Sequence, residues 1–228
     1  MNRKSGQDKY WTESVHTILS WWFGVIAVGI QFVLGVRHLD SLFGQLCIVE
    51  ALFGISGILF LDILHGKKKL YPKPFKKIHP DLFIRFAITF GVIAVIQFIF
   101  QIIPLITSTE MALAIVFCPV CEEFFFRGLL LEPFFRSARK VPKSEKIKVW
   151  KDREITYYEI FGIMFSGAVF SLFHINYYGN PNLMFMVMFG GSWLALVYWY
   201  WKDLTLVILA HFMLNIIFVV QFYQVIGL

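Results

Sequence analysis

The chain has 228 residues, of which 58% are apolar and only 16% are charged, whereas about 25% of residues are charged in typical soluble domains. This length fits one domain, and this composition excludes an ordinary soluble protein and indicates a polytopic membrane protein. The net charge of +6 does not indicate a nucleic-acid partner, because the basic residues lie in loops beside apolar segments, where they contact lipid headgroups.

Seven apolar segments follow one another along the chain, each near the ~20 residues that a transmembrane helix needs. They are predicted at about 13–36, 41–64, 82–105, 110–135, 155–175, 183–201 and 204–223. The predicted fold class is therefore all-α, a polytopic membrane helix bundle with about seven transmembrane helices.

Two strongly basic loops separate these segments, one at 65–80 and one at 136–154. With the N-terminus in the cytoplasm, nearly all of the 21 basic residues lie inside, whereas the outer loops carry only Arg37. Arg85 and Arg127 lie within segments. The positive-inside rule thus predicts a cytoplasmic N-terminus and an outer C-terminus.

The fourth segment contains the stretch CPVCEEFFFR at 118–127, which places three charges in an otherwise apolar run. One charged side chain at membrane depth costs on the order of 3 kcal/mol, so three of them indicate a functional site. Glu123 and Arg127 are four residues apart and come within ion-pair reach. Glu122 points about 100° away from Glu123 and is the less paired carboxylate, which makes it the candidate general base. The alternative for the ion pair is a charge-compensated contact that only holds the helices together.

Four further residues of these segments need an interpretation. Pro119 removes a backbone hydrogen bond and permits a kink just before the two glutamates. Cys118 and Cys121 have the C-x-x-C spacing of redox motifs, but they lie in an apolar helix and not in a βαβ context, which favours a helix-packing role. Glu50, in the second segment, receives no interpretation from the sequence.

Two later segments add further polar groups. The fifth ends in FSLFH, in which Phe170 lies one turn before His174 and is expected to shape a pocket. The seventh contains His211 and Asn215, which are four residues apart on one helix face. Their donors could converge on one oxygen atom, as a developing oxyanion requires. Alternatively, they hydrogen-bond across helices as packing contacts.

Zinc is the alternative to a site made of side chains alone. Glu122, His174 and His211 are residue types that bind zinc together with a water molecule. The sequence contains no H-E-x-x-H motif and no cysteine cluster with ligand spacing. It also contains no G-x-S-x-G motif for a serine nucleophile. We therefore predict no metal and no cofactor, with zinc as the minority interpretation.

Three motifs in chain order carry a resemblance to a known family. EExxxR at 122–127, FxxxH at 170–174 and HxxxN at 211–215 resemble the motifs of the type II CAAX prenyl protease and bacteriocin-processing family, also known as Abi. Members of this family are intramembrane peptidases. The resemblance covers about residues 110–220.

The resemblance implies an endopeptidase in which a glutamate activates the attacking water. Glu122 would act with the assistance of His174, and His211 and Asn215 would form the oxyanion hole. The ion pair of the first motif would support the site. We expect one membrane domain over 1–228, with N-terminal helices at 1–109 and a catalytic four-helix core at 110–224.

The expected partners follow from the same resemblance. In eukaryotic members the substrate is a prenylated protein that loses its last three residues. A peptide or prenylated protein and membrane lipid are therefore the expected partners, and the oligomeric state stays open. The short chain favours a prokaryotic source, so the expected location is a prokaryotic plasma membrane, with a multi-pass chain.

Two non-enzymatic interpretations also remain. Buried acids in a membrane bundle also occur in transporters that relay protons or ions, and a bacteriocin-immunity protein would bind a partner without cutting it.

The predicted orientation places the three candidate catalytic residues at different depths: His174 near the outer end of its helix, Glu122 near the middle of the membrane and His211 in the cytoplasmic half. A catalytic site therefore requires the fifth helix to be displaced, shortened or tilted.

Overall fold

The computed structural model describes Trp22, Ile26, Ile48 and residues 50–54, 80–100, 106, 108–150, 153–174 and 181–226. Ile48 and residues 50–54 are helical. The later elements are α1 (Leu82–Phe100), α2 (Thr109–Glu123), a π-helical segment (Phe124–Leu130), α3 (Glu132–Ala138), a 3-10 turn (Lys143–Glu145), β1 (Ile147–Trp150), β2 (Arg153–Ile155), α4 (Tyr157–Phe173), α5 (Pro181–Trp201) and α6 (Leu204–Ile226).

Three of the described helices are long and apolar enough to cross a membrane. They are α1, residues 183–201 of α5 and residues 204–224 of α6. Helix α4 is also apolar but has only 17 residues. The described part of the chain is thus mostly helical, as predicted. The count of about seven stays a prediction, because most of the first two predicted segments and the loop at 65–79 lie outside the described residues.

The ends of the later helices are set by polar caps. Helix α4 begins at Tyr157, two residues later than predicted, because Thr156 and Glu159 form a capping box. The Glu159 carboxylate accepts a 2.8 Å hydrogen bond from the Thr156 backbone N–H. The predicted break between α5 and α6 is confirmed: Lys202 has a φ of 52°, and the Asp203 carboxylate accepts from the first turn of α6.

The prediction of one continuous fourth helix over 110–135 is wrong. Helix α2 ends at Glu123, and a π-helical segment separates it from α3. The wider turn of the π-helical segment is seen at its end, where the Leu131 N–H donates a 3.1 Å hydrogen bond to the Phe126 carbonyl, five residues back. The run of apolar residues has no polar face that would indicate this change of helix type.

The prediction of a purely helical fold also needs a correction. Within the predicted basic loop, β1 and β2 form an antiparallel hairpin. Ile147 lies opposite Ile155, and Lys148 lies opposite Glu154. An apolar pair and a pair of opposite charges stabilise neighbouring antiparallel strands, so this short hairpin forms despite the high local positive charge.

Helices α4 and α5 cross closely where both carry small residues. A side-chain Cβ placed on Gly191 would lie 2.9 Å from the Phe170 ring and 3.2 Å from the Cα atom of Gly167. Small residues permit this close approach of two membrane helices. The crossing fixes the end of α4, and with it His174, against α5.

Candidate active site

Four of the six predicted site residues line one pocket between the helices. The pocket contains about 950 Å³ of empty space, part of which is open to the surroundings. The four residues are Glu122, His174, His211 and Asn215. Most of the other lining residues are apolar, as is usual in ligand-binding pockets.

Both histidines approach the carboxylate of Glu122, which is only 5% exposed. The Nε2 atom of His174 lies 3.7 Å from Oε1 of Glu122, and the Nε2 atom of His211 lies 3.4 Å from Oε2. The structure therefore brings residues from α2, α4 and α6 to one point, as a catalytic site requires. His174 stands at the C-terminal end of a short α4, immediately after its last residue.

The ring of His174 is oriented by its own helix. Its Nδ1 atom is 2.7 Å from the Phe170 carbonyl oxygen. Because a carbonyl only accepts, Nδ1 carries the hydrogen, and Nε2 of the neutral ring presents a lone pair towards Glu122. The Phe170 ring contacts the rings of His174 and His211, with centroids 4.4 and 5.7 Å away. Phe170 thereby shapes the wall of the pocket.

Glu123 and Arg127 form the predicted ion pair, and both are fully buried. One oxygen of Glu123 accepts from Arg127 at 3.0 Å and from Nδ1 of His211 at 2.9 Å. The other end of the guanidinium donates to the Gly191 carbonyl at 2.8 Å, and its carbon lies 5.2 Å from the Phe170 ring centroid. Glu123 thus holds the His211 ring in place, which is how a carboxylate orients a catalytic imidazole.

The donors of His211 and Asn215 bind different atoms in this structure. The Asn215 amide donates to the backbone carbonyl of Ile115 at 2.8 Å. Ile115 is four residues before Pro119, which has no N–H to donate to that carbonyl. One N–H of the amide therefore replaces the missing hydrogen bond of α2.

Glu50, which has no predicted role, lines the same pocket. Its side chain interacts with those of Glu122 and Cys118. Its role could have been predicted in the same way as that of Glu122, because Glu50 is also an ionisable residue inside an apolar segment. Cys118 and Cys121 are free thiols, and Cys118 donates to the Ala114 carbonyl.

The zinc interpretation has no matching ligand set in the described part of the chain. Among those residues, no group of three or more His, Cys, Asp and Glu side chains is arranged to hold a metal ion. The Nε2 atoms of the two histidines instead lie near separate oxygens of Glu122.

The long apolar helices make this an integral membrane protein. They surround a buried carboxylate and two imidazoles, which are groups suited to proton transfer. Residues 104–217 match the family described as type II CAAX prenyl endopeptidase Rce1-like. The match spans half of the chain, and the chain belongs to this family. The protein is therefore an intramembrane protease of the CAAX type, as the three motifs predicted. No curated protein and no solved structure matches it.

Proposed function

We propose that this protein is a glutamate-type endopeptidase that cleaves near the C-terminus of a peptide or prenylated protein with a water molecule activated by Glu122. The observation that carries the proposal is the distance of 3.7 Å between Oε1 of Glu122 and Nε2 of His174. Both atoms are acceptors when the carboxylate is ionised and the ring is neutral.

That distance is too long for a direct hydrogen bond but suits a bridging water. A water between Glu122 and His174 would donate one hydrogen to each, which leaves a lone pair directed into the pocket. Glu122 would take the proton as the water oxygen bonds to the peptide carbonyl carbon. The carbon–nitrogen bond of the tetrahedral intermediate would then break, and the amine would leave with one proton, which Glu122 returns directly or through a neighbouring acid.

The remaining motif residues support this chemistry. The amide nitrogen of Asn215 has a second N–H beyond the one bound to Ile115, and it would donate to the oxyanion. His211 would donate through Nε2 when its ring carries both protons, with Nδ1–H bound to Glu123. The buried Arg127 compensates the charge of Glu123 and so preserves this orientation.

The pocket also supports an apolar substrate. Ile93, Ile96, Val187 and Leu194 are among the lining residues, and their side chains suit the hydrocarbon of a prenyl group better than a polar peptide. We further propose that the N-terminus is cytoplasmic and that the chain lies in a prokaryotic plasma membrane. The distribution of basic residues supports the orientation.

The test is cleavage of a farnesylated C-a-a-X peptide by the detergent-purified protein, with and without a chelator. We expect wild type to cleave the peptide and Glu122→Gln to lose about 10²–10⁴-fold in kcat. The exposed Glu145→Gln serves as the matched control and should keep the wild-type rate.

Three outcomes would contradict the proposal. Full activity of Glu122→Gln would exclude this residue as the base. Activity that a chelator abolishes and zinc restores would favour the metal alternative. A wild-type protein that cuts neither farnesylated nor unprenylated peptides would favour a transporter or an immunity protein.

A further inference from the structure

We propose that Glu50 is a second carboxylate of the active site, which holds one proton in common with Glu122 and supplies it to the leaving amine. This inference rests on the proposed function of Glu122. Glu50 lies upstream of the matched residues 104–217 and belongs to none of the three motifs.

The helix that carries Glu50 packs closely against the helix that carries Glu122. A Cβ placed on Gly54 would lie 2.8 Å from the Cys121 sulfur atom, so only glycine fits there without a shift. Next to it, Phe53 is 2% exposed, and its ring centroid lies 4.4 Å from that of Phe125 and 4.2 Å from that of Phe173. These contacts fix the position of the helix from two sides.

The contact at Gly54 determines where Glu50 points. Glu50 is four residues before Gly54 and therefore lies on the same helix face, one turn away. Cys118 is likewise nearly one turn before Cys121 on α2. The two helices thus place Glu50 beside Cys118 and Glu122, and its side chain interacts with both.

Titratable groups face Glu50 from two directions. Cys118, Cys121 and Glu122 approach from α2, whereas His174 and His211 line the same pocket from α4 and α6. The buried cation of the site, Arg127, binds Glu123 and the Gly191 carbonyl. The Oε2 atom of Glu50 is buried and makes no hydrogen bond to any residue that the structure describes.

Two carboxylates that line the same apolar pocket and interact with each other do not both carry a charge. The pair therefore holds one proton, which makes one member an acid and the other a base. This division provides the two proton transfers that peptide hydrolysis needs.

Glu122 and Glu50 together can accept and supply both protons that the reaction transfers. Glu122 takes a proton from the water as the water oxygen bonds to the carbonyl carbon. Glu50 donates its proton to the amine nitrogen as the carbon–nitrogen bond breaks. The proton on Glu122 passes to Glu50, which restores the initial state with one carboxylic acid and one carboxylate.

Infrared spectroscopy of the full-length protein in detergent tests the shared proton without a substrate. At neutral pH we expect a carboxylic-acid carbonyl band in wild type that is lost in Glu50→Gln. The exposed Glu145→Gln control should keep the band. A wild-type spectrum that equals the Glu50→Gln spectrum in this region would overturn the inference.

Cleavage of the farnesylated peptide tests the second transfer. We expect Glu50→Gln to lower kcat by about 10²–10⁴-fold with little change in KM. Glu50→Asp keeps an acid in a shorter side chain and should retain more of kcat than Glu50→Gln, which has nearly the wild-type shape. A purely packing role predicts the reverse order.

The two proposals fail in different ways. Full kcat in Glu50→Gln, together with inactive Glu122→Gln, would overturn this inference and leave the proposed function standing. A wild-type protein without peptidase activity would remove the proposed function, while the infrared band would still decide whether the two glutamates share a proton. Thermal unfolding in detergent shows whether each variant has folded.

Discussion

The side-chain amide of Asn215 donates a hydrogen bond of 2.8 Å to the backbone carbonyl of Ile115. The acceptor is the carbonyl that Pro119 leaves without a helical donor. Asn215 thus completes the hydrogen bonding of α2 just before Glu122 and joins α2 to α6. A motif residue that the resemblance assigns to the oxyanion hole therefore also has a structural role.

Replacing Asn215 should destabilise the protein through this carbonyl. Asn215→Leu leaves the Ile115 carbonyl buried without a donor, at a cost of about 1–3 kcal/mol. In a Pro119→Ala background, the new N–H at position 119 can serve the same carbonyl, so the second substitution should cost less. Unfolding of the four proteins in detergent gives the coupling energy. An equal cost in both backgrounds would show that the proline does not determine the role of the asparagine.

Two arginines in i, i+4 ion pairs should differ strongly in their contribution to stability. Arg127 is fully buried with Glu123, and Arg127→Met leaves that carboxylate without its cation, at a cost of about 3–5 kcal/mol. Arg85 pairs with Asp81 at 2.7 Å, but the side chains are 18% and 49% exposed. Arg85→Met is the matched control and should cost less than about 1 kcal/mol. Similar losses in the two variants, measured by unfolding in detergent, would contradict a special role for the buried pair.

A methyl group at Gly191 should disturb the site through Phe170. The new Cβ of Gly191→Ala would lie 2.9 Å from the Phe170 ring, which contacts both histidines. We expect lower stability and a lower kcat, because the ring and the α4–α5 crossing must shift. Gly91→Ala, on α1, has no atom within 4 Å of the new Cβ and should be neutral in both measurements. Wild-type kcat in Gly191→Ala would show that the crossing tolerates the group.

A disulfide can test the packing of the helix that carries Glu50. A Cβ on Gly54 would lie 3.5 Å from the Cβ of Cys121, within the range that a disulfide requires. Gly54→Cys should therefore cross-link to Cys121 on oxidation, in a background in which Cys47 and Cys118 are replaced by alanine. Leu52 is exposed and points away from Gly54 on its helix, so Leu52→Cys should not cross-link. Proteolysis followed by mass spectrometry identifies the linked peptides, and equal linking of both variants would contradict this packing.

The helices of the second half of the chain could be predicted because strong local signals define them. Lys202 and Asp203 interrupt an otherwise apolar run, and the break occurs there. The meeting of Glu122 with two histidines could be expected from the cost of burying such groups alone. The energetic cost of burying an unpaired ionisable group thus predicted which side chains lie close to one another.

Other features depend on contacts that no local pattern shows. The π-helical segment and α2 have similar apolar composition, so the change of helix type has no signal in the residues. The hairpin does have one, since basic and apolar residues alternate over 146–149, but the many lysines around it resemble a loop. The bond from Asn215 to Ile115 and the position of Glu50 arise from helix packing between distant parts of the chain.

The length of α4 has a consequence for how water reaches the protein interior. Its 17 residues extend about 26 Å, less than the ~30 Å thickness of the hydrocarbon layer. Tyr157 and Tyr158 are exposed at its start, beside the charged hairpin, and suit the lipid–water boundary. The opposite end, with His174, then stops below the far surface. The last backbone carbonyls of α4 need polar partners at that depth, and water can supply them. Water that enters from the far side of the membrane would then reach the imidazole of His174 before any other group of the site.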